Sequence, residues 1–401
     1  MVVPLLWGLL AVLGLALSWA TGAGAFAWVG GLMLAVLVAG ILAARLAQRG
    51  LRATRWISAD RIALGAAVEV EVEVANRSRL PAVWVLAAET LPAGLPMTGV
   101  RGRVGWLAGR ASFHFRYSLI GARRGYYHVG PTILRTGDLF GLSLRERAAE
   151  GPAGLIVFPR VVAIRHARLP SLRAGSDVRA RHRVLEDPIQ VIGIRPYQRG
   201  DGLRRVHWRA SAHTGEWQSK LIQPAAQIET AVALNLRRAD YPAAPGEAAD
   251  LAELAIVAAA SVSHHVLERR QRTGLLVVGR DMAAQQAGGL VRLAPGRGRD
   301  QLTAVLSTLG RMALGAVEPL ARVLPREREG LTWGSLVVVI TPTVADELVR
   351  ALIGLRTAGF DVYVLLVKRG PRPGREAPGL ETMGISTSWV RSEADIRGLG
   401  L

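Results

Sequence analysis

Two uncharged apolar runs at the N-terminus constrain this chain more than any other feature. Val2 to Ala20 and Ala27 to Ala43 contain no Asp, Glu, Lys or Arg. A helix over the first run spans about 28 Å, close to the thickness of a bilayer's hydrocarbon layer. Thr21-Gly-Ala-Gly-Ala25 between the runs is a break too short to hold a domain. The pair therefore predicts a transmembrane hairpin. A cleaved signal peptide needs a basic leading segment, which Met1-Val-Val-Pro4 lacks, and would leave the second run unexplained. Arg45, Arg49, Arg52 and Arg55 follow the second run, and the positive-inside rule places them, with everything after them, in the cytoplasm.

Beyond the anchor the periodicity changes to two. Val68, Val70, Val72 and Val74 alternate with Glu69, Glu71 and Glu73, the pattern of a strand with one buried and one wet face. Ala82 to Glu89, Phe113 to Leu119, Tyr126 to Leu134 and Gly154 to Phe158 read as further strands. Short strands with turn signals over residues 56–160 predict an all-β, immunoglobulin-like sandwich. From Thr230 onward strands alternate with helices: Thr230–Leu236, Ala248–Arg269, Gly274–Val278, Asp300–Met312, Ser335–Thr341, Val344–Arg356 and Phe360–Val367. That order predicts a doubly wound parallel α/β domain over 228–401. The expected organisation is an anchor with its basic flank (1–55), the sandwich (56–160), an Arg-rich junction (161–227) and the α/β domain.

Composition narrows the chemistry. The 401 residues include no Cys, which excludes disulfides, thiolate zinc sites and a thiol nucleophile. The net charge of +19 favours acidic partners, although an Arg-rich, Ala- and Gly-rich composition also follows from coding bias. The charge concentrates in the junction, where Arg160 to Ala212 holds 12 Arg against Asp177, Glu186, Asp187 and Asp201. Within it, Arg199-Gly-Asp-Gly202 reads as a turn. Asp201 is positioned to cap a short helix carrying Leu203, Val206 and Ala210 on one face, with Arg195 and Arg204 competing for its carboxylate. Trp208 is expected to pack.

This stretch resembles the signature of the domain of unknown function 58 family. Arg195, Tyr197, Gly200, Asp201, Arg204, Val206, His207, Trp208, Ser211 and Ala212 match it in order. The resemblance implies a C-terminal domain similar to von Willebrand factor type A, and a role as a membrane-tethered accessory of a MoxR-type AAA+ ATPase, with transglutaminase-like proteins as neighbours. The signature reads either as a clasp between modules or as a partner-docking surface. Von Willebrand type A domains commonly hold a metal on an Asp-x-Ser-x-Ser motif after the first strand. Here Asn235, Arg237 and Ala239 stand at those positions, so no metal and no cofactor is expected.

Other chemistry finds little support. There is no P-loop and no nucleophile elbow, so no enzymatic activity is expected. His264 and His265 are adjacent on a helix and face different directions, which makes a poor chelating pair. His207 and His213 lack a companion ligand set. Pro325–Glu329, Pro295–Arg299 and Pro371–Arg375 read as loops. The expected function is a membrane-anchored, cytoplasm-facing scaffold or adaptor, and a basic nucleic-acid-binding membrane protein is the alternative.

Overall fold

In the computed structural model, residues 2–165, 186–198, 201–203, 206–224, 229–284, 289–369 and 380–399 are described. They divide between two compact units. The first is Met1–Val161 with Gly279–Gly289 and Thr303–Gly315; the second is Val162–Val278 with Leu290–Leu302 and Ala316–Leu401.

The first unit begins with α1 (Val2–Thr21) and α2 (Gly24–Gly50), which form over the two uncharged runs. Their apolar side chains are largely exposed, including Leu5, Leu9, Trp19, Trp28 and Leu32, as on helices that face lipid. The helices cross at small residues: a Cβ added at Gly30 would lie 2.7 Å from the Ala11 carbonyl oxygen, and one at Gly14 3.2 Å from the Gly30 Cα. Small residues at such a crossing let two backbones meet closely, a recurrent device between membrane helices. α2 runs seven residues beyond the uncharged stretch, and its Gly40, Ala44 and Ala47 form a buried stripe at helical spacing.

The strands that follow are β1 (Leu51–Ile57), β2 (Arg61–Ile62), β3 (Ala67–Asn76), β4 (Ala82–Glu89), β5 (Met97–Gly99), β6 (Gly102–Leu107), β7 (Ser112–Ile120), β8 (Gly125–Val129), β9 (Thr132–Gly137), β10 (Leu144–Glu150) and β11 (Ala153–Val157). They form sheets of order β1-β3-β7-β5, β10-β9-β4-β6 and β2-β11-β8. Val68, Val70, Val72 and Val74 are all buried against Phe113, Phe115, Tyr117 and Leu119, whose alternation is in register with theirs. Each such burial is worth about 1.5–3 kcal/mol relative to exposure, before ordering costs. The expected run Tyr126–Leu134 is two strands, broken where Gly130 takes φ +96° before Pro131.

Arg55 corrects the sequence reading. It is not part of the surface basic cluster: its side chain is only 2% exposed and pairs with Glu89, which is 0% exposed. Its guanidinium also donates to the Val129 and Gly151 carbonyls and to Thr132 Oγ1. Thr132 and Tyr117 donate their hydroxyls to the Glu89 carboxylate. A buried charge is tolerated only when its hydrogen-bonding capacity is filled in this way. The flank after α2 keeps Arg45, Arg49 and Arg52.

The chain continues with β12 (Glu186–Pro196), α3 (Trp208–Thr214), β13 (Gln218–Pro224), β14 (Glu229–Asn235), α4 (Pro245–Glu268), β15 (Arg272–Asp281), β16 (Gly289–Gly296), α5 (Gly298–Arg311), β17 (Met312–Ala313), α6 (Leu320–Glu327), β18 (Leu336–Thr341), α7 (Asp346–Thr357), β19 (Asp361–Val367), β20 (Ser386–Val390) and α8 (Glu393–Arg397), all in the second unit except β17, the end of β15, the first residue of β16 and α5 from Thr303 onward. The main sheet has the order β16-β15-β14-β18-β19-β20, and the pairs β14–β15, β14–β18, β18–β19 and β19–β20 are parallel. β14 and β18 are buried along their whole length, hence their unbroken apolar runs. α4 is long and apolar enough to cross a membrane but is 78% buried, a core helix in this protein.

β15 ends in the first unit, where Arg280 and Asp281 pair with β17. There Arg124 donates to the carbonyls of Leu309, Gly310 and Met312 and caps the C-terminal end of α5. Two expected loops are ordered elements. Pro295 lies in β16, with α5 starting at Gly298, and Pro325 lies inside α6, whose Glu327 pairs with Arg292. Pro371–Arg375 lies outside the described residues.

Candidate functional site

β12 and β13 form an antiparallel hairpin that carries the signature, with Arg195 opposite Ser219 and Pro196 opposite Gln218. The chain leaves β12 into a tight turn built on Asp201. Its Oδ1 accepts from Arg195 Nη2 at 2.7 Å and its Oδ2 from the Gln198 N–H at 3.1 Å. Its backbone oxygen accepts from the Tyr197 hydroxyl at 2.9 Å. The Arg195 hydrogen bond, then the Gln198 N–H, hold the Asp201 carboxyl below the ordinary carboxylate range. Gly200 and Arg204 lie outside the described residues.

The helix of the signature begins later than expected. Val206 is buried and bridges to Ser219, and Leu203 is exposed before the helix starts. The cap of α3 is His207, not Asp201: His207 Nδ1 accepts from the Ala210 N–H at 3.0 Å. A ring nitrogen does there what a Ser or Asp oxygen does at most helix starts. Ser211 then ties helix to strand. Its hydroxyl donates to the His207 carbonyl at 3.1 Å and accepts from the Gln218 N–H at 2.9 Å. His207, Ser211 and Asp201 thus have structural hydrogen bonds, and their side chains do not converge on a common point in this bonding pattern.

Trp208 does not pack inward as expected; it is 63% exposed, and Trp217 is 54% exposed. The two rings meet edge-to-face at 6.2 Å, and Trp217 meets Tyr197 at 5.4 Å. Ile194 and Leu203 are exposed on the same hairpin and turn. Sequence reasoning missed Trp217. Its signal was a second Trp just after Gly215, the left-handed residue that ends α3 and returns the chain to β13.

The other candidate lies at the carboxyl ends of β14 and β18, where a doubly wound sheet opens its crevice. Asn235 Nδ2 donates to Asp240 Oδ2 at 2.8 Å and to Thr341 Oγ1 at 3.1 Å. Arg237 donates its N–H to Asn235 Oδ1 at 3.0 Å and its Nη1 to Asp240 Oδ1 at 2.8 Å. Arg238 turns away onto the Tyr241, Pro242 and Ala243 carbonyls, and Ala239 is exposed in the short 3-10 turn. Tyr241 donates to the Asn235 carbonyl, and burial, then the Asp240 charge, raise its phenol above the ordinary range. The crevice is about 60 Å3 and is lined by Asn235, Arg237, Asp240, Thr343 and Glu347 among others. Asp240 went unnoticed in the sequence because the metal motif directs attention to alternate positions after the strand. A divalent cation here would have to displace the Arg237 guanidinium from Asp240. Among the described residues no three His, Asp or Glu side chains gather as a ligand set.

The family model described as protein of unknown function DUF58 matches residues 193–362. The uncharacterized protein YeaD of Bacillus subtilis (strain 168) is 23% identical over 348 residues, covering 83% of this chain and 79% of that one. Among solved structures, a von Willebrand factor type A protein from Catenulispora acidiphila is similar over 42% of this chain and 40% of its own, at 12% identity and a TM-score of 0.29. The CARDB domain of a Pyrococcus furiosus protein is similar over 27% of this chain and 94% of its own, at 15% identity and a TM-score of 0.21. The matched residues 193–362 begin within β12, take in the signature and end at the start of β19, so this part of the chain is similar to the DUF58 family.

Proposed function

We propose that this protein is a membrane-anchored scaffold that docks a protein partner through the signature hairpin. The observation that carries the reading is the exposed pair Trp208 and Trp217, held on a hairpin that Asp201, His207 and Ser211 pin from within. Tryptophans fixed in place and left open to solvent are characteristic anchors of interfaces. The partner to test first is the MoxR-type AAA+ ATPase that the family resemblance implies, with a transglutaminase-like neighbour second. In this reading α1 and α2 cross the membrane twice, Arg45, Arg49 and Arg52 hold the remaining chain on the cytoplasmic side, the sandwich is immunoglobulin-like, and the α/β part is a von Willebrand type A-like domain with Arg237 seated in place of a metal.

The test is co-purification. Tagged full-length chain is recovered from membranes and its partners identified by mass spectrometry, for wild type and for Trp208→Ala with Trp217→Ala. Recovery of an AAA+ ATPase with wild type and its loss from the variant is expected. Equal recovery from both overturns docking through this hairpin.

A further inference from the structure

The loop between β9 and β10, Asp138-Leu-Phe-Gly-Leu-Ser143, lies in the first unit beside α2. The Asp138 side chain sits so close to Gly40 that a Cβ added there would be 3.2 Å from Asp138 Oδ2. Farther along, Gln48 Nε2 donates to the Glu146 carbonyl and Arg147 Nη2 to the Leu51 carbonyl. The β9–β10 hairpin therefore lies along the last turns of α2, with its tip pointing back toward the apolar end of that helix. The tip is rigid. Asp138 is buried, and its carboxylate accepts from the Phe140 and Ser143 N–H groups at 3.1 and 2.6 Å. Trp84 Nε1 donates to the Asp138 carbonyl, Leu142 is buried beneath, and Gly141 takes φ +71° to close the turn.

This ordered tip holds three large apolar side chains outward: Leu139, Phe140 and Leu144 are 74, 62 and 63% exposed. Loop tips are ordinarily polar, and an apolar group this open marks a contact surface. What covers it follows from its height along α2. The first charge on that helix is Arg45, five residues after Gly40, so the tip is level with a point about 7 Å inside the uncharged stretch. Side chains at that depth meet the boundary between lipid headgroups and acyl chains, where amphipathic surface elements settle. On the strands behind the tip, Arg135 of β9 is paired with Glu146 of β10 at 2.6 Å.

We propose that the β9–β10 tip inserts Leu139 and Phe140 into the leaflet from which α2 emerges, so that the sandwich lies against the bilayer instead of hanging from it on a tether. The inference rests on the reading of α2 as a membrane span. The occupant is lipid, since the tip stands beside the uncharged stretch of α2 at Gly40.

The chain has no Cys, so single cysteines report cleanly. Full-length protein carrying Phe140→Cys, Leu139→Cys, Leu34→Cys or Leu64→Cys is labelled with an environment-sensitive fluorophore. Each is reconstituted in vesicles of phosphatidylcholine and phosphatidylglycerol. Quenching is then measured with nitroxide lipids labelled near the headgroup or at the acyl terminus. Leu34 lies within α2, and Leu64 lies past β2, at the end of the sandwich away from Leu51. Strong shallow quenching at positions 139 and 140, several-fold above position 64, with deep quenching at position 34, is expected. Deep quenching at position 34 with positions 139 and 140 as unquenched as position 64 overturns the insertion while leaving the span intact. No quenching at position 34 overturns the span, and the insertion with it.

Discussion

Two arginine–carboxylate pairs in this chain look alike as residue types and differ in everything that decides their use. Arg55–Glu89 lies inside the β region of the first unit, with side chains 2 and 0% exposed, and Thr132, Tyr117 and two carbonyls fill its remaining hydrogen bonds. Arg195–Asp201 lies on the signature hairpin, its arginine a third exposed and its aspartate side chain 9% exposed. Desolvated charges are costly to strand, so the first pair is bound up with folding. Solvent screens the second, so its substitution perturbs stability little and leaves the shape of one turn to answer for any effect. The lesson is that the signature can be probed by substitution without unfolding the protein, and the buried Arg55–Glu89 pair cannot.

The largest effect is expected at Glu89. Glu89→Ala leaves Arg55 charged and buried, at a cost of about 3–5 kcal/mol, read as a lower denaturant midpoint of the first unit. A smaller loss would mean that water reaches Arg55. Next comes the sheet edge, intermediate in exposure. Asp240→Ala removes one of the two hydrogen bonds of the Asn235 amide and the carboxylate partner of Arg237, and about 1–3 kcal/mol is expected in chemical denaturation of the second unit.

Asp201→Asn should shift the midpoint less than either, and its signature is pH dependence. The folded-state carboxyl titrates below its unfolded value, so its contribution is fully present above about pH 4 and is lost as the pH falls through the folded value. The variant should lack that acid-side component. An identical acid profile in variant and wild type would mean the Arg195 contact does not form in solution. The smallest effect is expected at His265 in α4. Burial, then the Arg269 charge, lower its pKa, so neutral His265 favours the fold above about pH 6.5, and that contribution declines as acidification proceeds. His265→Leu should flatten the profile on the acid side of about pH 6.5.

The elements with a strict alternation or an unbroken apolar run were legible in the sequence. Val68 to Val74 and Leu336 to Ile340 announce a half-buried and a fully buried strand, and both lie where expected. Prolines misled: Pro295 and Pro325 punctuate loops in most sequences, yet here one ends a strand and the other lies within a helix. Arg55 was misread because a charged residue beside a basic flank gives no local sign of a partner that is 34 positions away. At the candidate site the turn at Asp201 was legible from spacing, which leaves its partner open between Arg195 and Arg204; the structure shows the Arg195 contact. The His207 cap was not legible, because helix starts are read from oxygens and His is a rare substitute. Trp208 was expected inside because large aromatics are buried on average, and only the fold shows that this one is left outside.

The most direct measurement is the membrane co-purification, run on wild type, Trp208→Ala with Trp217→Ala, and Leu64→Ala as a surface control, with unfolding midpoints taken on the same samples. Docking through the hairpin gives one result: all three proteins unfold alike, and only the double variant loses an AAA+ ATPase that wild type and control retain. Full retention by a normally folded double variant, or no such ATPase with wild type, would contradict it.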